Sequence, residues 1–154
     1  MLAGSEAIEL RCSMRCSLEL TIAAFLLIGS NASDAAVWIK NDRGGLIEKY
    51  LHKYDVVRES GQSVIIDGLC ASACTIVLTI PWNQICVTPQ AKLAFHAAWD
   101  FGPRGRPVTN LQATQKLYSL YPKPVQQWIA DRGGLTSRTI ILPGKVLKAM
   151  YRPC

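Results

Sequence analysis

From Leu46 to Val57 apolar residues recur at three- and four-residue steps: Leu46, Ile47, Tyr50, Leu51, Tyr54 and Val57. Glu48, Lys49, Lys53 and Arg58 fall on the opposite side. This period predicts an amphipathic helix, stopped at Ser60-Gly61. Apolar runs flank it. Val37-Trp38-Ile39 leads into the turn-rich Asn41-Asp42-Arg43-Gly44-Gly45 and predicts a short buried strand. Ser63 to Asp67 centres on the β-branched, apolar Val64-Ile65-Ile66, as in a strand covered on both faces, and Gly68 is expected to break it. Strand, helix and strand within about thirty residues make a βαβ unit, so the two strands should be parallel.

Further along, Ser72 to Leu78 predicts a short buried helix, with Pro81 beyond its end. Ile85-Cys86-Val87-Thr88 and Lys92-Leu93-Ala94-Phe95 are two more short strands. The segment DFGPRGRPVTN, from Asp100 to Asn110, holds two prolines, two glycines and two arginines and is expected to be an exposed, mobile loop. The remainder reads as helical: Leu111 to Leu120, then Pro124 to Arg132 ended by Gly133-Gly134, a short turn capped by Thr136 or Ser137, and Lys145 to Tyr151. The order predicts one α/β domain of βαβ units, with a small parallel sheet and a helical C-terminal part. A chain of 154 residues suits one core.

The first 35 residues stand apart. Arg11 and Arg15 precede the apolar run Leu20 to Ile28, and small and polar residues follow. A basic start, a short apolar segment and a small-residue exit are the pattern of a signal peptide, with cleavage expected after Ala35 and Met14 an alternative start. An uncleaved N-terminal anchor is the rival reading. Either way the chain is expected to be exported, to the periplasm or the medium. The domain then comprises residues 36–154. It keeps 15 of the 17 Lys/Arg and seven of the 11 Asp/Glu, a formal +8. Such a surface favours contact with anionic partners. The basic residues are spread singly and without aromatic interleaving, so nucleic acid is not an expected partner.

Ser72 lies where a strand is expected to end and a helix to begin, between Ala71 and Ala73. Such a junction exposes a hydroxyl at the strand ends and aims free first-turn amides at a developing oxyanion. Serine is also a common helix N-cap, which needs no catalytic role. A nucleophilic serine needs a base. Beyond the leader the chain has two histidines, His52 in the predicted first helix and His96 at the end of a predicted strand. His96 is therefore the candidate.

Gly44-Gly45, the following helix, VIIDGLCASACTIVL and AKLAFHAAW together resemble the ClpP-like branch of the ClpP/crotonase fold, over about residues 37–99. In that family a glycine turn precedes a helix, a second strand leads to a serine turn, and a later strand ends in a histidine. The resemblance implies Ser72 as nucleophile, His96 as base, and the Gly45 and Ala73 amides as the oxyanion hole. It implies a serine peptidase or related hydrolase acting on a peptide or protein. The chain departs from the family at Asp42-Arg43, in place of Ser-Pro, and at Cys74. The region corresponding to the family's aspartate falls near Thr139-Ile140 and has no carboxylate. Asp100 and Asp131 are the carboxylates left to orient His96. No long handle helix for ring stacking is evident.

Of the six cysteines, Cys12 and Cys16 lie in the leader; Cys70, Cys74, Cys86 and Cys154 remain. Four cysteines in an exported domain point to two disulfides with three possible pairings. The preferred pairing is Cys70–Cys74, provided the turn brings their Cα atoms within about 7 Å, with Cys86–Cys154. A reactive Cys74 is the alternative. No Cys-x-x-Cys pair exists, so no zinc or other metal is expected, and no cofactor. Two functions stay open: an exported Ser72–His96 hydrolase, or a catalytically degenerate domain with a binding or structural role in the cell envelope. Oligomeric state is open, a homo-oligomer included.

Overall fold

Residues 35–154 are described in the structure, a computed structural model. The expected signal segment, with Met14, Cys12 and Cys16, lies outside the described residues. β1 (Val37–Asp42) and β2 (Val64–Ala71) pair in parallel from Val37↔Val64 to Asp42↔Cys70, joined by helix α1 (Ile47–Ser60). The βαβ unit forms because the α1 stripe buries Tyr54 and Val57, and Ile47, Tyr50 and Leu51 pack at the margin of the core. Gly61, at φ 72°, ends the helix with its amide donating to the Arg58 carbonyl. β1 is less buried than its apolar residues suggest: Ile39 is inside, but Trp38 is 55% exposed. The cause is position, since β1 pairs only with β2 among the described residues.

β2 does not break at Gly68. It continues to Ala71, and β1 is irregular opposite it, between Ile39 and Asn41. A Cβ on Gly68 would lie 2.0 Å from the Lys40 carbonyl oxygen. The glycine permits two backbones to approach closely.

On its other side β2 pairs in parallel with two strands in succession. β3 (Ile85–Val87) takes Val64 to Ile66, and β4 (Lys92–Phe95) takes Leu69 to Ala71. The sheet is larger than expected and is mixed. β7 (Ile140–Pro143) runs antiparallel to β4, and β8 (Arg152–Pro153) runs parallel to β3, giving the order β7-β4-β2-β3-β8 with β1 on β2. The protein is thus a mixed α/β fold.

The C-terminal part differs from a purely helical one. Helices α2 (Leu111–Leu120), α3 (Lys123–Ala130) and α4 (Gly144–Leu147) alternate with β7 and β8. No helical turn forms at Thr136 or Ser137, and the Thr136 carbonyl accepts from the Ala97 amide instead. The expected loop at 100–110 is a hairpin of β5 (Trp99–Phe101) and β6 (Pro107–Thr109).

Between α1 and α2 lies a 3-10 helix, Ser72–Thr79, with Ala73 to Leu78 all buried. Three consecutive β-branched residues, Thr75, Ile76 and Val77, crowd a regular α-helix. The Thr75 and Thr79 hydroxyls donate to the Ser72 and Ile76 carbonyls three residues back, which suits the tighter winding. Among the described residues no helix is long and apolar enough to cross a membrane.

Candidate active site

Three parallel strands, β1, β2 and β4, end at one rim of the sheet. Asp42 ends β1, Ser72 follows β2, and His96 follows β4. Ala71 and Ala94 are register partners, so Ser72 and His96 come one and two residues after the same rung. Adjacent strands lie about 4.8 Å apart, and crevices at the carboxyl ends of parallel strands are the usual ligand sites of open α/β sheets. The structure therefore brings Ser72 and His96 to one rim. Among the described residues no hydrogen bond joins their side chains, and the Ser72 hydroxyl has no protein partner.

Ser72 is not an N-cap. Ala71 occupies that position, with no side-chain cap, and Ser72 is the first residue of the 3-10 helix with φ 56°. A non-glycine residue in the left-handed region costs about 1–2 kcal/mol and needs support. Two contacts supply it. The Thr75 hydroxyl donates to the Ser72 carbonyl at 2.6 Å, so it must accept at 2.7 Å from the Tyr121 hydroxyl. Burial pushes the Tyr121 hydroxyl well above its ordinary range, which keeps it a neutral donor. Below the turn, Cys70 and Cys74 form a disulfide across Ser72 with Cα atoms 5.3 Å apart, and the Tyr54 hydroxyl lies 3.6 Å from Cys74 Sγ. Cys86 and Cys154 form the second disulfide. With Cys74 bonded and fully buried, it is not a free thiol. Two disulfides fit an oxidising, extracytoplasmic setting.

The glycine turn packs directly on the serine turn. A Cβ on Gly44 (φ 81°) would lie 2.6 Å from the Ala71 carbonyl oxygen, 2.8 Å from the Ala73 nitrogen and 2.8 Å from Ser72 Cβ. Gly45 follows, exposed, and a Cβ there would meet Tyr50 Cε2 at 3.7 Å, an ordinary contact. Neither the Gly45 nor the Ala73 amide donates to a protein acceptor among the described residues. Asp42 holds this turn in place. One carboxylate oxygen accepts from the Gly44 amide at 2.9 Å and from the Tyr50 hydroxyl, and the other lies 3.5 Å from Lys53 Nζ. Burial pushes the Asp42 carboxyl up, but the Tyr50 hydroxyl, the Gly44 amide and the Lys53 charge together outweigh it and leave it below its ordinary value. Tyr50 is pushed up to about 12, by burial and then by its bond to Asp42 and the carboxylate charge.

His96 is half-buried, and its Nδ1 lies 2.7 Å from the Ala97 carbonyl oxygen. A carbonyl can only accept, so Nδ1 carries the proton and Nε2 of the neutral ring carries the lone pair. Neither candidate acid reaches it. The Asp100 carboxylate accepts from Asn110 Nδ2, and that of Asp131 from Gln127 Nε2, both at 2.7 Å and both exposed. His52 is exposed on α1. Two surface grooves, of about 290 and 620 Å3, are walled by other residues, the larger by Trp38 to Arg43 and Lys53 next to the glycine turn.

Asp42, Tyr50, Thr75 and Tyr121 were not singled out as site residues from sequence. One signal was there. An aspartate two residues before a glycine is a turn-forming pattern. The roles of Thr75 and Tyr121 depend on a contact across 46 residues that no local pattern announces. No protein-family model matches the chain, and no curated protein matches it.

Proposed function

We propose that this protein is an exported serine hydrolase with a ClpP-like arrangement, acting on peptides through Ser72 and His96. The observation that carries the reading is Ser72 in a left-handed conformation where β2 meets a helix, beside the strand that delivers His96. A capping serine has no need of that conformation. A nucleophile gains exposure from it.

In the proposed cycle His96 Nε2 takes the Ser72 proton as Oγ bonds to the scissile carbonyl carbon. The π pair moves to the carbonyl oxygen, which the Gly45 and Ala73 amides receive. The Nε2 proton then passes to the departing amine nitrogen as the C–N bond breaks, leaving an acyl-serine. Water, deprotonated by Nε2, attacks the ester and restores Ser72. The Ala97 carbonyl does part of what a carboxylate does in a triad: it sets the tautomer and holds the ring. It carries no full charge, so it stabilises the imidazolium less, and turnover is expected to be slow.

A fluorophosphonate probe tests this. The folded protein should label on Ser72, labelling should vanish in Ser72→Ala, and in His96→Ala the rate should fall by about 100-fold or more. The second reading, a degenerate domain with a binding role, is favoured by the lack of a carboxylate at His96 among the described residues. A well-folded protein that takes no label establishes it.

A further inference from the structure

Nine large hydrophobic side chains are exposed among the described residues, and four of them, Trp99, Phe101, Val108 and Leu111, fall within one hairpin and the start of the next helix. Single exposed apolar residues need no explanation, and Val108, opposite Asp100, lies on the other face of the ribbon, but two adjoining aromatic rings on one face do need one. Trp99 and Phe101 share a face of β5, with ring centroids 5.2 Å apart and edge to face, and Phe101 is 80% exposed. Pro107 and Thr109 lie opposite them on β6. The turn beyond carries Arg104 and Arg106, both exposed and neither paired with a carboxylate among the described residues.

The ribbon is held as it is presented. Its base is tied to α2 by the Ala98 amide donating to Thr114 Oγ1 at 2.9 Å, and by Asn110, which donates to Asp100 and caps Ala113. A two-stranded ribbon is marginal alone, and this one, tied down at its base by those bonds, keeps Phe101 80% and Trp99 47% exposed.

We propose that the β5–β6 hairpin is a docking surface for an anionic lipid bilayer. Trp99 and Phe101 would settle at the headgroup–acyl boundary, where amphipathic aromatic rings are favoured. Arg104 and Arg106 would reach lipid phosphates at the same level. The formal +8 of residues 36–154 adds long-range attraction to such a surface. The same charge argues against a second copy as occupant, because pairing two hairpins would set arginines against arginines. The edge-to-face rings also leave no pair of parallel faces for stacked bases.

The test uses the full chain with vesicles of equal parts phosphatidylglycerol and phosphatidylcholine, and with phosphatidylcholine alone. Amide hydrogen exchange reads the hairpin separately from any other membrane-binding segment. Anionic vesicles should slow exchange at Trp99–Thr109 by about tenfold, and raising salt from about 0.1 to about 1 M, which shortens the Debye length from about 10 to about 3 Å, should abolish the effect. Phe101→Ser and, separately, Arg104→Glu with Arg106→Glu should each lose the protection while the sheet amides stay protected. No protection of the hairpin by anionic vesicles overturns the proposal. So does protection that rises with protein concentration without lipid, which assigns the face to self-association, or protection by a single-stranded oligonucleotide in place of vesicles. None of these outcomes depends on whether Ser72 is active.

Discussion

Holding Ser72 at φ 56° costs about 1–2 kcal/mol, and the groups around it offset that cost. Thr75, itself held by the Tyr121 hydroxyl, grips its carbonyl, and Gly44 packs against its Cβ. The two glycines with open and closed surroundings separate backbone cost from collision. Gly61→Ala meets nothing within 4 Å and bears only the left-handed penalty, so it should lose about 1 kcal/mol. Gly44→Ala bears that penalty and drives a methyl into the Ala71 carbonyl and the Ala73 amide, so about 3 kcal/mol or more should go. Urea unfolding of both variants measures the difference. Equal losses would mean that the glycine turn and serine turn are not in contact.

At the scale of elements, the turn between β1 and α1 is set by Asp42, Tyr50 and Lys53, and it titrates at both ends of the pH range. The folded Asp42 carboxyl lies below its ordinary value of 3.8, so its stabilising part is present above that pH. It is lost as the pH falls through the folded value. Tyr50, and Tyr151 through burial, are both raised from 10.0 to about 12. Their part is complete below pH 10 and is lost as the pH rises to about 12 and beyond. A pH–stability profile by chemical denaturation should fall at both limits. Tyr50→Phe should shrink both falls, because it removes one alkaline titration and also an Asp42 partner. An unchanged acid limb in that variant would separate Asp42 from Tyr50 energetically. The 3-10 helix and the β5–β6 hairpin act at the same scale. One places a nucleophile candidate among buried residues, and the other projects an aromatic face into solvent.

For the whole molecule the two disulfides differ in reach. Cys86–Cys154 joins residues 68 apart and ties β8 to β3, whereas Cys70–Cys74 spans four. Chain-entropy arguments put the long closure at about 4 kcal/mol and the short one at about 2. Replacing Cys86 and Cys154 by Ser should therefore cost about twice as much stability, by urea unfolding, as replacing Cys70 and Cys74. Labelling of Ser72 should fall only in the second pair. The βαβ unit, the two parallel strands that follow and α2 are legible in the chain because their apolar period is carried by neighbouring residues. So is the serine-turn junction, whereas the cysteine pairing is legible only as the preferred one of three, and it took the turn to bring the Cα atoms of Cys70 and Cys74 to 5.3 Å. Ile140 to Pro143 and Arg152-Pro153 are not legible as strands, since so few residues show no alternation and only β4 and β3 supply their hydrogen-bond partners. The hairpin at 99–109 was hidden by its prolines and glycines, which read equally well as an irregular loop. The sequence by itself determined which local segments can be helix or strand and which chemical groups are at hand. Tertiary structure alone decided that Ser72 and His96 share a rim, that no carboxylate among the described residues meets the imidazole, and that Thr75 meets Tyr121, because the separation of these residues along the chain says nothing of their distance in space.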